Sequence, residues 1–167
     1  PVEKGGLGSG RYPKGSGGHP FRNNTPKRFG GVEYQKGDSL YKFLKRNKTG
    51  GYDIAPERKA LHDSIIAHFL DGVPRSSNPT MFMLGGGPAA GKSTAVKNPV
   101  FGIPNDEQAV LVSADDIKAM LPEYQEGMKR GDKETAALCH EESSYIAKKL
   151  MGMAIAQSKD FVLDGTG

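Results

Sequence analysis

The sequence lacks the features of a secreted or membrane-spanning protein. It contains a single cysteine, Cys139, so no disulfide can form within the chain. Apolar runs such as residues 81–84 are far shorter than the ~20 residues that cross a bilayer, and no charged-then-apolar signal segment opens the chain. We therefore expect a cytoplasmic protein without membrane contact, in which Cys139 packs as a small hydrophobic side chain.

Hydrophobic residues are also scarce, at 36% of 167 residues. Residues 1–31 hold nine of the 23 glycines and four of the 11 prolines, without apolar periodicity. Six Lys or Arg residues stand against one acid in residues 1–32, whereas the rest of the chain carries 17 basic and 18 acidic residues. We interpret residues 1–31 as a flexible, disordered basic arm or linker and residues 32–167 as one folded domain.

The composition of the arm allows two interpretations. Its Lys and Arg residues are interleaved with Tyr12, Phe21 and Phe29, which suits weak, non-specific contact with nucleic acid. A solvated linker between domains requires no ligand, and it is the interpretation that we favour.

Apolar periodicity beyond the arm predicts alternating strands and helices. Leu40, Phe43 and Leu44 indicate a short amphipathic segment within residues 34–47, and a helix is predicted from Pro56 to near Gly72. The other predicted elements are strands at 80–84, 109–112 and 161–163, and helices at 92–97, before Pro122 and at 133–157. This alternation is typical of an α/β fold with a parallel sheet flanked by helices.

The helix predicted after Pro56 repeats apolar residues at i, i+4 and i+8. Leu61, Ile65 and Phe69 form this stripe, and we expect it to face the core. His62 and His68 lie six residues apart, which places them on different faces. We therefore expect packing or solvent contact from these histidines and not a shared metal ion.

The strongest functional signal is a phosphate-binding motif. Its residues, with the following threonine, are Gly86, Gly87, Pro88, Ala89, Ala90, Gly91, Lys92, Ser93 and Thr94. They match the pattern GxxxxGK(S/T), in which backbone N–H groups surround the phosphates at the start of a helix. Lys92 would contact the β- and γ-phosphates, and Ser93 would bind Mg²⁺. Because a predicted strand precedes the motif and a predicted helix follows it, the sequence predicts binding of ATP with Mg²⁺.

Acidic residues follow two of the predicted strands. Asp115 and Asp116 come after residues 109–112, and Asp164 comes after residues 161–163. Ligands of open parallel sheets bind at the carboxyl ends of the strands, so we expect these carboxylates near the phosphate-binding motif. One could accept a proton from a hydroxyl and another could orient Mg²⁺. The alternative interpretation is that Asp115 or Asp116 is the N-cap of the next helix.

A polar stretch, residues 140–144, lies inside the long predicted helix and contains Glu141 and Glu142. A solvated face would explain it as well as a binding site would. Spacing alone does not decide between the two.

Four motifs occur in a recognisable order and spacing. They are Gly85 to Thr94, Ser113 to Lys118 with Leu121 to Tyr124, His140 to Ser144, and Leu163 to Gly167. Together they resemble the zeta toxin family of P-loop kinases, from about Ile54 to the last residue. The resemblance implies a P-loop NTPase kinase-like fold and an ATP- and Mg²⁺-dependent phosphotransferase. Studied members phosphorylate UDP-N-acetylglucosamine, and the resemblance implies this nucleotide sugar as the substrate. It also implies a bacterial or phage-encoded toxin whose protein partner is an antitoxin.

The resemblance also implies roles for individual residues. Lys92 and Asp115 would be catalytic, Asp115 as the general base. Asp116, Glu142 and Thr166 would contact the nucleotide sugar. The later strands of the family and its phosphate-clamping basic residues have no counterpart here, since no Arg follows Arg130. We therefore expect the amino-terminal portion of the kinase domain, incomplete at its carboxyl end and weakly active as it stands.

Two alternatives to this function remain open. The first is a P-loop kinase of the same shape that acts on another small hydroxyl substrate. The second is a phage-associated structural or nucleic-acid-binding protein that carries a degenerate ATP-binding module.

Overall fold

The computed structural model describes residues 25–84 and 108–164. Most of the basic arm, the phosphate-binding motif with the helix predicted at 92–97, and Thr166 lie outside these residues. Within the described ranges, no helix is long and apolar enough to cross a membrane.

The amino-terminal unit, residues 25–55, consists of two antiparallel hairpins. Strands β1 (Lys27–Phe29) and β2 (Val32–Tyr34) form the first, and β3 (Leu44–Arg46) and β4 (Tyr52–Ile54) form the second. A 3-10 turn, Tyr41–Phe43, precedes β3. Tyr34, Leu40 and Leu44 are buried together in a small core of their own. The apolar residues predicted within 34–47 are thus part of a core, although the segment is strand and 3-10 turn.

The boundary predicted at residue 32 falls inside the first hairpin. Gly30 and Gly31 have φ values of 61° and 81°, a left-handed conformation that suits the two-residue turn between β1 and β2. Lys27 then donates from Nζ to the backbone oxygens of Tyr41 and Leu44, each at 3.0 Å. Residues 27–31 therefore belong to the folded unit, because the turn returns β1 onto β2.

Helix α1 (Pro56–Leu70) begins at a proline in its first turn, as predicted. Its buried face differs from the predicted stripe. Leu61 and Phe69 are only partly buried, whereas the fully buried residues are Arg58, His62, Ile65, Ile66 and Leu70. Two polar side chains thus lie on the inner face, which is stable only if each has a partner there.

The central sheet has three parallel strands in the order β5-β7-β6. They are β5 (Met81–Leu84), β6 (Val110–Val112) and β7 (Phe161–Asp164). Phe161 pairs with Met81 on one side and Val110 on the other, so all three strands end at the same edge. Because α1 and the last helix pack on β6, the predicted α/β fold with a parallel, helix-flanked sheet is confirmed.

Four helices connect β6 to β7. They are α2 (Ala114–Lys118), α3 (Pro122–Lys129), α4 (Thr135–Leu138) and α5 (His140–Ala156). Pro122 ends the segment before it, as predicted, and it is also the first residue of α3. A proline suits this position because its missing N–H costs nothing in the first turn of a helix.

The single helix predicted over 133–157 is wrong, since the structure has α4 and α5 separated at Cys139. The backbone N–H of Ser39 donates to the carbonyl of Leu138 at 2.9 Å. A residue about 100 positions away therefore uses a carbonyl that would otherwise continue the helix. Cys139 itself is buried and belongs to the main core, as expected.

Candidate active site

Three aspartates gather at the carboxyl edge of the sheet. Asp164 is the last residue of β7 and pairs with Leu84, the last residue of β5. Asp115 and Asp116 lie in the first turn of α2, directly after β6. We call these three carboxylates the acidic edge. In the sequence, the phosphate-binding motif begins two residues after Leu84, the last residue of β5.

The charges of the acidic edge act on one another. Partial burial raises the pKa of Asp116, and the negative charges of Asp164 and Asp115 raise this pKa further. The side chain of Asp115 is 63% exposed, with Oδ1 3.8 Å from Nζ of Lys118. A carboxylate that faces solvent can meet a substrate, and one with a raised pKa holds a proton more readily.

Ser113 is the N-cap of α2. Its Oγ accepts a hydrogen bond from the backbone N–H of Asp116 at 3.3 Å. The alternative interpretation, that Asp115 or Asp116 caps this helix, is therefore wrong. Both aspartates lie one or two residues inside the helix, where their charge favours the N-terminal dipole and their side chains have no capping role.

The acidic edge does not form a metal cage by itself. In residues 25–84 and 108–164, no three His, Cys, Asp or Glu side chains are arranged to hold a metal ion.

A second polar group lies in the interior. It comprises Ser39, Arg58, His62, Glu123 and Glu142, which we call the Glu142 cluster. Oε1 of Glu142 accepts from Ser39 Oγ at 2.6 Å and from Arg58 Nη2 at 2.7 Å. Oε2 accepts from Arg58 Nε at 2.7 Å and lies 2.6 Å from His62 Nε2. Arg58 also donates to both carboxylate oxygens of Glu123, at 2.7 and 3.1 Å.

Charge and burial oppose each other in this cluster. Burial favours the neutral form of Glu142, but hydrogen bonds from Arg58 and His62, the charge of Arg58 and the hydroxyl of Ser39 outweigh it and lower the pKa to about 2. Burial would likewise lower the pKa of Arg58, yet Glu142 and Glu123 raise it above its ordinary value. Because Glu142 is ionised, His62 donates to it from Nε2, and Nδ1 of the same ring has no hydrogen-bond partner among the described residues.

The structure places the predicted site residues in different environments. Asp115 and Asp116 lie at the acidic edge, whereas the side chain of Glu142, predicted to contact a nucleotide sugar, is 0% exposed and hydrogen-bonded within the protein. The residues predicted to bind ATP and Mg²⁺, including Lys92 and Ser93, lie outside the described residues, as does Thr166.

Sequence reasoning missed Arg58 and predicted only packing or solvent contact for His62. His62 is buried, with its ring nitrogen on Glu142. The helical spacing did contain a signal for these two residues. Arg58 and His62 are spaced i, i+4, and they lie on the same helix face as the buried residues Ile65 and Ile66. Polar residues at core-facing positions indicate a buried partner elsewhere in the chain.

This domain has the α/β fold of a P-loop kinase, as defined by the order of its strands, the acidic edge and the phosphate-binding sequence. The family model for "Zeta toxin" matches residues 66–166. The chain therefore belongs to the zeta toxin family, and the family predicted from the four motifs is confirmed.

Two known proteins extend this comparison. A chain of the PezAT chromosomal toxin-antitoxin system of the human pathogen Streptococcus pneumoniae superposes with a TM-score of 0.55 at 20% identity, over 68% of this chain and 47% of that chain. The "Calmodulin calcium-dependent NAD kinase" of Arabidopsis thaliana is 32% identical over 96 residues, which are 53% of this chain and 18% of that protein. This chain thus spans less than half of the solved chain and less than a fifth of the curated relative.

Proposed function

We propose that this chain carries the nucleotide-binding portion of an ATP- and Mg²⁺-dependent phosphotransferase. The observation that carries the proposal is the acidic edge. Asp115, Asp116 and Asp164 lie at the ends of β6 and β7, and the adjacent β5 ends where the phosphate-binding sequence begins. In an open parallel sheet this edge is the ligand crevice, and a kinase needs both a triphosphate site and a carboxylate there.

The motif from Gly86 to Thr94 would hold ATP. In this proposal Lys92 neutralises charge on the β- and γ-phosphates, and the hydroxyl of Ser93 is a ligand for Mg²⁺. The oxygen-rich acidic edge fits this metal, because Mg²⁺ prefers carboxylate and hydroxyl oxygens. When bound, Mg²⁺ offsets the negative charge of the transferring phosphoryl group.

Asp115 would act as the general base. Its exposed carboxylate takes the proton of the acceptor hydroxyl, the hydroxyl oxygen forms a bond to the γ-phosphorus, and the bond to the β-γ bridging oxygen breaks to release ADP. Asp116 and Thr166 would help to place the acceptor. The neighbouring charge that raises the pKa of Asp116 also makes this edge receptive to a hydroxyl donor.

We propose first a class of acceptor and then two particular molecules. The class is a small molecule that contains a nucleotide and a free sugar hydroxyl, which suits both the zeta toxin family and the relative named as an NAD kinase. Family resemblance favours the nucleotide sugar UDP-N-acetylglucosamine. The second candidate is NAD, and the specific observation in its favour is the 32% identity to a protein named as an NAD kinase, against 20% to the solved toxin-antitoxin chain.

The proposed partners follow from the same comparisons. An antitoxin protein is proposed because the solved chain comes from a toxin-antitoxin system. The arm, residues 1–31, would make at most weak, salt-sensitive contact with nucleic acid. The rival function, a phage-associated structural or nucleic-acid-binding module, predicts such binding without phosphotransfer.

The test uses the full-length protein with Mg²⁺ and γ-labelled ATP. Label should pass to UDP-N-acetylglucosamine or to NAD, and the acceptor that is labelled decides between the two candidates. Lys92→Ala should abolish ATP binding in calorimetry, whereas the matched variant Lys97→Ala should bind ATP normally, with circular dichroism as the folding control. Unchanged ATP affinity in a folded Lys92→Ala variant would refute the nucleotide site.

A further inference from the structure

The carboxylate of Glu142 has no free position for a substrate. A carboxylate offers about four lone-pair sites, and the donors on Glu142 are Ser39 Oγ, Arg58 Nε, Arg58 Nη2 and His62 Nε2, all within 2.7 Å. The side chain is 0% exposed. A sugar hydroxyl could reach it only by displacing one of these donors.

Arg58 connects Glu142 to helix α3. Its guanidinium binds Glu142 of α5 on one side and Glu123, in the first turn of α3, on the other. Both contacts are bidentate, which fixes the angle of the two carboxylates as well as their distance. The Arg58 side chain is only 5% exposed, and its Cζ lies 4.4 Å from the centre of the Phe43 ring. The guanidinium is therefore held on several sides.

Helix α3 is joined directly to the acidic edge. Only three residues separate α2, which carries Asp115, from α3. Within this joint the backbone N–H of Leu121 donates to Lys118 at 3.0 Å, and that of Tyr124 donates to Leu121 at 3.0 Å. Ile117, in α2, and Leu121, in the joint, are both completely buried. A shift of Glu123 would therefore be passed to α2.

We propose that Glu142 is a positioning residue and not a substrate ligand: through Arg58 and Glu123 it holds the α2–α3 segment so that Asp115 faces the acceptor. This inference rests on the proposed function, because it assigns a role in that active site. It also makes the first half of α1, with Ser39 of the amino-terminal unit, part of the catalytic module. Ser39, Arg58 and His62 precede the region matched by the family model, residues 66–166, whereas Glu123 and Glu142 lie within it.

The experiment weakens the contacts of Arg58 with Glu123 and with Glu142 separately, in the full-length protein. Glu123→Gln weakens the contact between Arg58 and α3 and leaves Glu142 with its own donors. Glu126→Gln is its matched control, since Glu126 is exposed on the same helix. Glu142→Gln weakens the other end, and Glu141→Gln, one residue away, is its control. For each variant we would measure hydrogen exchange of residues 113–121 and the kcat and KM for the acceptor.

A positioning role predicts one pattern for both ends. Glu123→Gln and Glu142→Gln should exchange faster in residues 113–121 and lose about tenfold in kcat, since small misplacements of a catalytic group are costly. The KM for the acceptor should change less than about twofold, because no substrate contact is lost. Glu126→Gln and Glu141→Gln should match the unmodified protein in all three measurements.

Other results would overturn the inference. If Glu142→Gln raises the acceptor KM and leaves exchange unchanged, Glu142 is a substrate ligand. If Glu142→Gln does not fold, Glu123→Gln decides, and normal exchange with normal kcat in that variant refutes the connection. If the unmodified protein phosphorylates neither acceptor, the proposed function fails, and the exchange of residues 113–121 in Glu123→Gln still shows whether the cluster holds α2.

Discussion

The acidic edge and the Glu142 cluster place the same chemical group in opposite environments. At the edge, partial burial and the negative charges of Asp164 and Asp115 raise the pKa of Asp116. In the cluster, Glu142 and Glu123 share Arg58, and the pKa of Glu142 is lowered to about 2. The difference shows that the same chemical group has its pKa raised beside other carboxylates and lowered beside a buried guanidinium.

The largest effect is expected from Arg58→Ala. This variant leaves Glu142 buried without its cation, which should cost about 3–5 kcal/mol of unfolding free energy. Lys59→Ala, which removes an exposed ion pair with Asp63, should cost at most about 1 kcal/mol. Urea unfolding at pH 7 measures both. Equal losses for the two variants would show that burial does not distinguish the cluster from the surface.

A comparably large effect is expected at the acidic edge, but on activity instead of stability. Asp115→Asn should lower kcat about a hundredfold, because an amide cannot accept the hydroxyl proton. Asp116→Asn should lower kcat about tenfold. Neither variant should change the unfolding free energy by more than about 1 kcal/mol, because the loss of like-charge repulsion and the loss of the favourable interaction with the helix dipole oppose each other. Steady-state kinetics of the full-length protein gives the ranking. If Asp116→Asn is the more damaging variant, Asp116 is the base and the assignment is off by one residue.

Acid should weaken the cluster. Glu142 has a pKa of about 2 in the fold against a reference value of 4.5, so the stability that it contributes is complete above about pH 5 and is lost as pH falls through 4.5 toward 2. The complete loss, reached only below about pH 2, should be about 3 kcal/mol, of which about 2 kcal/mol is lost by pH 3. The raised pKa of Asp116 acts in the opposite direction, because protonation there favours the folded state. Unfolding free energies between pH 7 and pH 3 should therefore fall less in Glu142→Gln than in Glu141→Gln.

The smallest effect concerns the amino-terminal unit, which covers one side of the cluster. Deletion of residues 1–24 should leave the melting temperature unchanged. Deletion of residues 1–31 also removes β1, the hydrogen bonds of Lys27 and the contact of Phe29 with Tyr145, whose rings lie 5.2 Å apart. We expect the longer deletion to cost about 1–3 kcal/mol. If thermal unfolding is the same for both deletions, the arm extends to residue 31 as the composition predicted.

Most of the sheet could be predicted from short stretches of sequence. The strands predicted at 80–84, 109–112 and 161–163 agree with β5, β6 and β7 to within one residue. Each is a compact apolar run of three to five residues that ends in a polar or glycine-rich segment, and a run of this length is more typical of a buried strand than of a helix. The acidic residues after β6 and β7 could be assigned to one edge for the same reason, since parallel strands end together.

The sequence by itself determined the family, the parallel sheet and the edge at which the chemistry is proposed, because each of these features is indicated by a short motif or apolar run that can be recognised without knowing its distant partner. Only the tertiary structure decided that Glu142 is buried, that Arg58 and His62 face inward, and that the long helix is interrupted at Cys139. These features depend on partners about 80 to 100 residues apart, such as Ser39 with Glu142 and Arg58 with Glu142. A buried charge is stable only beside such a partner, and a local pattern does not reveal which distant residue supplies it.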